Sequence, residues 1–148
     1  NLHDSCKQLL SPKNILYAIR FKGNLLTKLR QKQQLFPEKI TDSDIKKIKT
    51  LKDFDDIYTS RAHGFRDAID YYQKSSSLQF LPAIQVPSLI INAKNDSFLG
   101  KECFPFKETE NNPSLYLETP TFGGHVGFWG KKNITYTEKR ALDFFDSL

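Results

Sequence analysis

The feature that most constrains this chain is the short run Val86-Pro-Ser-Leu-Ile-Ile-Asn-Ala93, which is apolar at most positions and opens on a proline. A nearly continuous apolar stretch, rather than an alternating one, is the pattern of a strand covered on both faces, as in a parallel sheet. Downstream, 98–106 reads as a short helix or helical loop, 114–118 as a second strand and 134–148 as a closing helix. That helix carries Ala141, Leu142, Phe145 and Leu148 on one stripe, and Thr135 with Glu138 forms a capping box at its start. Strand, helix, strand, helix implies one right-handed parallel unit of an α/β sheet. Two strands do not complete such a sheet. Leu89-Ile90-Ile91 is therefore expected to pair with a strand from a missing N-terminal half or from another copy, to be covered by the helices of 14–52, or to make the chain poorly soluble.

Upstream the character changes. Residues 20–52 hold ten Lys and Arg against Glu38, Asp42 and Asp44, so this stretch is +7 and the rest of the +5 chain is −2. Ile15, Leu16, Ile19, Leu25, Leu26 and Leu29, and later Ile45, Ile48 and Leu51, recur at helical spacing, which predicts amphipathic helices over 14–35 and 42–52 with Thr41 or Asp42 as the second cap. An acidic turn, Asp53-Phe54-Asp55-Asp56, follows. After it, Phe65, Ala68, Ile69 and Tyr72 mark another helix, ending in Ser75-Ser76-Ser77. The organisation is a helical, basic region over 1–80 and strand-helix units over 81–148.

Several classes are excluded. No stretch approaches the roughly 18 consecutive apolar residues of a membrane span. The basic faces could attract phosphate or anionic lipid, although a solvated charged face is the plainer reading, and no zinc pattern or base-stacking aromatic motif accompanies the charge, so no nucleic acid is expected. Cys6 and Cys103 are too few and too scattered for a disulfide framework or a zinc site, which fits a reduced, cytoplasmic setting with no metal and no cofactor. The chain begins at Asn1 and contains no Met, so it is expected to start downstream of its gene's start.

Reactive groups in open α/β sheets gather beyond the carboxyl ends of strands. Lys94-Asn95-Asp96-Ser97 follows the first strand, and Gly123-Gly124-His125-Val126-Gly127-Phe128 follows the second. An Asp and then a His, each after consecutive strands, is the last two thirds of the Ser, Asp, His order of α/β hydrolases. Each has a plainer reading as well: Asn-Asp-Ser is good turn chemistry, so Asp96 could cap a helix, and His125 could be an ordinary exposed histidine. Val126, Phe128 and Trp129 are expected to pack around the imidazole. No Gly-x-Ser-x-Gly elbow is present, because the single pair of glycines spaced four apart, Gly123 and Gly127, encloses His125.

Phe54-Asp55-Asp56, Thr59, His63-Gly64-Phe65, Asp70-Tyr71-Tyr72, Val86-Pro87, Ala93-Lys94-Asn95-Asp96 and Gly123-Gly124-His125-Val126-Gly127-Phe128 together resemble the C-terminal part of the YheT-like α/β hydrolases, over about residues 54–129. The resemblance implies the C-terminal portion of an α/β-hydrolase fold with a helical cap-like insertion. It also implies a serine hydrolase of carboxylic esters with Asp96 and His125 as acid and base. The earlier strands, the nucleophilic serine and the oxyanion loop are absent from this sequence, so the chain alone is expected to be inactive. The competing reading is a non-catalytic module that docks a partner through its sheet edge and basic helices. His63 is expected to be structural, at a helix entry or bonded to Asp55 and Asp56, Cys103 to be a buried thiol, and Ser75 to Ser77 to form a loop.

Overall fold

The apolar spacing that predicts the first long helix is realised as a 21-residue element, and the computed structural model describes it together with the rest of residues 1–130 and 134–148. Two compact units result, Asn1–Ser76 and Ser77–Leu148.

In the first unit, α1 (Leu2–Leu9) starts where the Asn1 side chain accepts a hydrogen bond from the Asp4 amide, and a turn at Pro12–Asn14 leads into α2 (Ile15–Leu35). The helix expected over 42–52 is split. Thr41 and Asp44 box the start of α3 (Asp42–Lys47), Ile48 is extended at ψ 101°, and Thr50 with Asp53 boxes a new start for α4 (Leu51–Phe54). The break has a local cause: the Asp53 carboxylate accepts from the amides of Lys49 (3.0 Å) and Thr50 (2.8 Å), which stops those amides from continuing a helix.

The expected acidic turn is helical instead, since α4 runs on through a π-helical turn, Asp55–Thr59, into α5 (Ser60–Ala62). Each carboxylate there has a partner that holds it in register. Asp55 accepts from the Thr59 and Tyr72 hydroxyls, and Asp56 accepts from Lys52 and from the Ala68 amide. Gly64, at φ +75°, then reverses the chain while the Phe65 amide closes back on the Ser60 carbonyl at 2.8 Å, a turn that a side chain would strain. Asp67 caps α6 (Ala68–Ser75), so Phe65 lies ahead of that helix, and of the expected stripe Ala68 and Tyr72 are buried while Ile69 is exposed. The core gathers Leu29, Ile40, Ile45, Ile48 and Phe54, each contributing about 1.5–3 kcal/mol by burial.

In the second unit, β1 (Ser88–Ile91) and β2 (Leu115–Glu118) pair in parallel, with Ser88 opposite Leu115 and Ile91 opposite Glu118. The connection carries a 3-10 turn, Lys101–Cys103, and α7 (Phe106–Glu110), and α8 (Tyr136–Asp146) closes the chain from its Thr135 and Glu138 capping box. All four residues of β1 are half-buried. The expected stripe of α8 is corrected: Leu142, Phe145 and Leu148 are exposed, and Phe144 is the buried anchor, edge-on to Tyr116 at 5.1 Å between ring centres. A sheet of two strands offers a helix only a narrow face, which one ring fills.

Candidate active site

Beyond its last residue, β1 stays tied to the neighbouring segment, because the Asn92 amide donates to the Glu118 carbonyl and the Lys94 amide to that of Pro120. This extended ladder brings the two post-strand loops to one edge of the sheet. The chain then turns through Ala93 to Asp96, whose amide donates to the Ala93 carbonyl, and Asp96 is buried. Its two oxygens do different work. Oδ1 accepts from the Phe98 amide at 2.8 Å, the turn chemistry of an Asx motif, while Oδ2 lies 2.9 Å from His125 Nδ1.

His125 arrives from the other loop by way of two glycines with distinct roles. At Gly123 a Cβ would sit 2.6 Å from two ring atoms of Phe128 and 2.9 Å from the Ala93 Cβ, so only hydrogen fits. Gly124 takes φ +61°, and its amide donates to Asn95 Oδ1 at 2.9 Å, which ties the histidine loop directly to the aspartate loop. The Phe98 ring lies 4.9 Å from the imidazole, tilted by 51°. The His125 side chain is 54% exposed and the Asp96 side chain 4%.

The residues expected to pack around the imidazole are corrected in part. Val126 and Trp129 are 82% and 92% exposed, and Phe128 turns inward under Gly123 and stacks on Tyr136. Phe98 takes the place beside His125. Its signal in the sequence was its position two residues after Asp96, since an Asx turn folds residue i+2 back over the carboxylate. Asn95 was legible only as turn chemistry, and its bond to Gly124 spans 29 residues.

A carboxylate can only accept, so the Nδ1 proton points to Asp96 and Nε2 is left to exchange a proton with a second group. That is the arrangement of an oriented general base. Among the described residues no cluster of three or more His, Cys, Asp or Glu could hold a metal ion, and no helix is long and apolar enough to cross a membrane.

The remaining candidates separate. His63 is exposed at the exit of α5, not at a helix entry, and the expected bond to the acidic segment is not formed because Asp55 and Asp56 are engaged elsewhere. Cys103 is buried. Ser75 ends α6, and Ser76 Oγ accepts from the Leu2 amide and donates to the Tyr72 carbonyl. One polar cluster was not anticipated as a group from the sequence. The buried Tyr72 hydroxyl donates to Asp55 Oδ2 at 2.6 Å, with Cys6 Sγ 3.3 Å from the Tyr72 hydroxyl oxygen, beside a cavity of about 360 Å³ lined by Leu2, Phe21, Leu25, Leu51 and Tyr71. Burial pushes the Cys6 thiol up, and burial together with the Asp55 carboxylate pushes the Tyr72 hydroxyl well above its ordinary value.

Comparison with known proteins gives the same direction. The chain is 38% identical over 109 residues, 74% of its length, to the provisionally named esterase YheT of Escherichia coli strain K12. It is 30% identical over 150 residues, 99% of its length, to an abhydrolase domain-containing protein of Dictyostelium discoideum. Over 100 residues, 68% of its length, it is 34% identical to the medium-chain fatty acid ethyl ester synthase/esterase 2 of Saccharomyces cerevisiae. The matches span 31%, 38% and 22% of those relatives, so the chain corresponds to about a third of their length. No family model and no solved structure matches it.

Proposed function

Because the chain belongs to the YheT-like α/β hydrolases and carries part of that fold, we propose that it supplies the base and its orienting acid to a serine hydrolase of carboxylic esters. The observation that carries this reading is the 2.9 Å contact between His125 Nδ1 and Asp96 Oδ2 at the edge where both strands end. Relatives named for esters, phospholipids and monoacylglycerol favour an acyl or lipid-like ester as substrate.

In the proposed reaction a serine from the part of the hydrolase outside this chain attacks the acyl carbonyl, and His125 Nε2 takes the hydroxyl proton. Asp96 holds the ring and stabilises the imidazolium. The tetrahedral intermediate collapses, the C–O bond to the alcohol breaks, and His125 returns the proton to the departing oxygen. Water then attacks the acyl-serine with His125 again as base, releasing the carboxylic acid. The helical region over 1–80 would act as a cap. The free edges of β1 and β2 would pair with strands of the rest of the hydrolase or of another copy. The two cysteines, Cys6 and Cys103, are few and far apart in sequence, which favours a reduced, cytoplasmic setting.

The test is hydrolysis of p-nitrophenyl butanoate by the full-length hydrolase. His125→Ala is expected to lower kcat by about a million-fold and Asp96→Asn by about 10,000-fold, as loss of a triad base or of its orienting acid does. The 148-residue chain alone should give no turnover above background. Full activity in His125→Ala would overturn the reading.

A further inference from the structure

Among the described residues, α2 presents a side that its unit leaves uncovered. Ala18 and Leu29 are buried, and at 100° per residue one flank of the helix, running from beside that buried line round to the opposite side, carries Ile15, Ile19, Arg30, Leu16 and Arg20. Leu16 and Ile19 are 78% and 57% exposed, and Ile15 beside them is 48% exposed. Lone exposed aliphatics need no explanation, but three within two turns on one helix do.

The charge of the same helix is all of one sign. Its 21 residues include Arg20, Lys22, Lys28, Arg30 and Lys32 and not one Asp or Glu. Most of its length has no acidic neighbour at i±3 or i±4 to neutralise the cations. Lys13 adds a further exposed cation just before the helix.

We propose that this face of α2 docks on an anionic lipid surface, with Ile15, Leu16 and Ile19 entering the interface at one end and Arg20 and Arg30 lying among the headgroups. The charge decides the occupant. Exposed aliphatic side chains gain nothing against a phosphodiester backbone, whereas an interfacial helix uses both apolar insertion and attraction to anionic headgroups. The arginines suit such a boundary because their apolar stems lie along the interface while the guanidinium stays at headgroup depth. From Leu16 to Arg30 the face is about 21 Å long, enough to lie flat with its apolar end inserted and its cationic end on the surface. The proposal uses only residues of α2 and Lys13 and none of the proposed active site.

The experiment is co-sedimentation of the 148-residue chain with vesicles of phosphatidylcholine, with and without phosphatidylglycerol, at low and high salt. Binding to the anionic vesicles should exceed that to neutral ones by at least about tenfold and collapse at high salt. Leu16→Ser with Ile19→Ser should weaken it by more than about tenfold. Arg20→Gln with Arg30→Gln should weaken it by about 25-fold, roughly fivefold for each cation. The arginine pair is exposed, so this second variant decides the question if the first fails to fold by circular dichroism. Equal binding to neutral and anionic vesicles would overturn the proposal, as would parent-like binding by the arginine variant. A lipid-free dimer abolished by Leu16→Ser and Ile19→Ser would overturn it too, by making the face a contact between copies.

Discussion

Adding one methyl group at Gly123 tests how rigidly the His125 loop is built. The new Cβ would lie 2.6 Å from Phe128 Cδ1 and Cε1 and 2.9 Å from the Ala93 Cβ, where carbon atoms pack at about 3.5–4.0 Å. Something must yield by about 1 Å. The Phe128 ring is poorly free to do so, because it is buried, stacked on Tyr136 and fixed by its own amide bonded to the Gly123 carbonyl at 2.9 Å. Ala93 is 1% exposed and sits at the root of the Asp96 turn. Overpacking of this kind costs about 1–3 kcal/mol, and two immobile neighbours argue for the upper half of that range. In a unit of this size, Ser77–Leu148, that lowers Tm by roughly 13–20 °C.

Gly124→Ala is the internal control. A Cβ there meets nothing within 4 Å, and the cost is the left-handed backbone at φ +61°, about 1–2 kcal/mol. Urea unfolding followed by circular dichroism gives both values, and the imidazole resonances of His125 report whether the loop has moved. Gly123→Ala should be the more destabilising and should shift those resonances. If it unfolds like the parent, or loses less than Gly124→Ala, the close-approach argument is wrong.

Three further outcomes follow from the same contacts. Glu118 accepts from Arg140 and Tyr136, and the Arg140 guanidinium beside it holds its carboxyl below the ordinary 4.5. A lowered folded value means stability fully present above 4.5 and lost as pH falls through the depressed value, so the stability gap between parent and Glu118→Gln, about 1–2 kcal/mol at neutral pH, should close in acid and not in alkali. Tyr72→Phe leaves Asp55 without its 2.6 Å donor and should cost about 1–3 kcal/mol in urea, more than Tyr71→Phe at the half-buried neighbour. Asn95→Ala removes the acceptor for the Gly124 amide, so amide exchange at Gly124 should speed up about tenfold or more while α8 is unaffected; unchanged exchange would show that the two loops are held by other contacts.

Features that depend on residues within about four positions were legible in the sequence. The capping box of α8 needed only Thr135 with Glu138, and the start of α3 was narrowed to Thr41 or Asp42, of which Thr41 is the cap. The meeting of Asp96 and His125 was legible for a topological reason: parallel strands end on the same edge, so residues that follow consecutive strands share a rim, and the register of Ile91 opposite Glu118 delivers them there. The helix break at Ile48 was hidden because Asp53 reaches back to two amides that helical periodicity alone assigns to a continuous helix. Tertiary structure alone decided which aromatic ring stands beside the imidazole, that Phe144 rather than the apparent stripe anchors α8, and that Cys6, Asp55 and Tyr72 meet across up to 66 residues. Composition sets which side chains seek burial. Which of them obtain it depends on how much surface the neighbouring segments offer, and that is fixed only when the chain has folded.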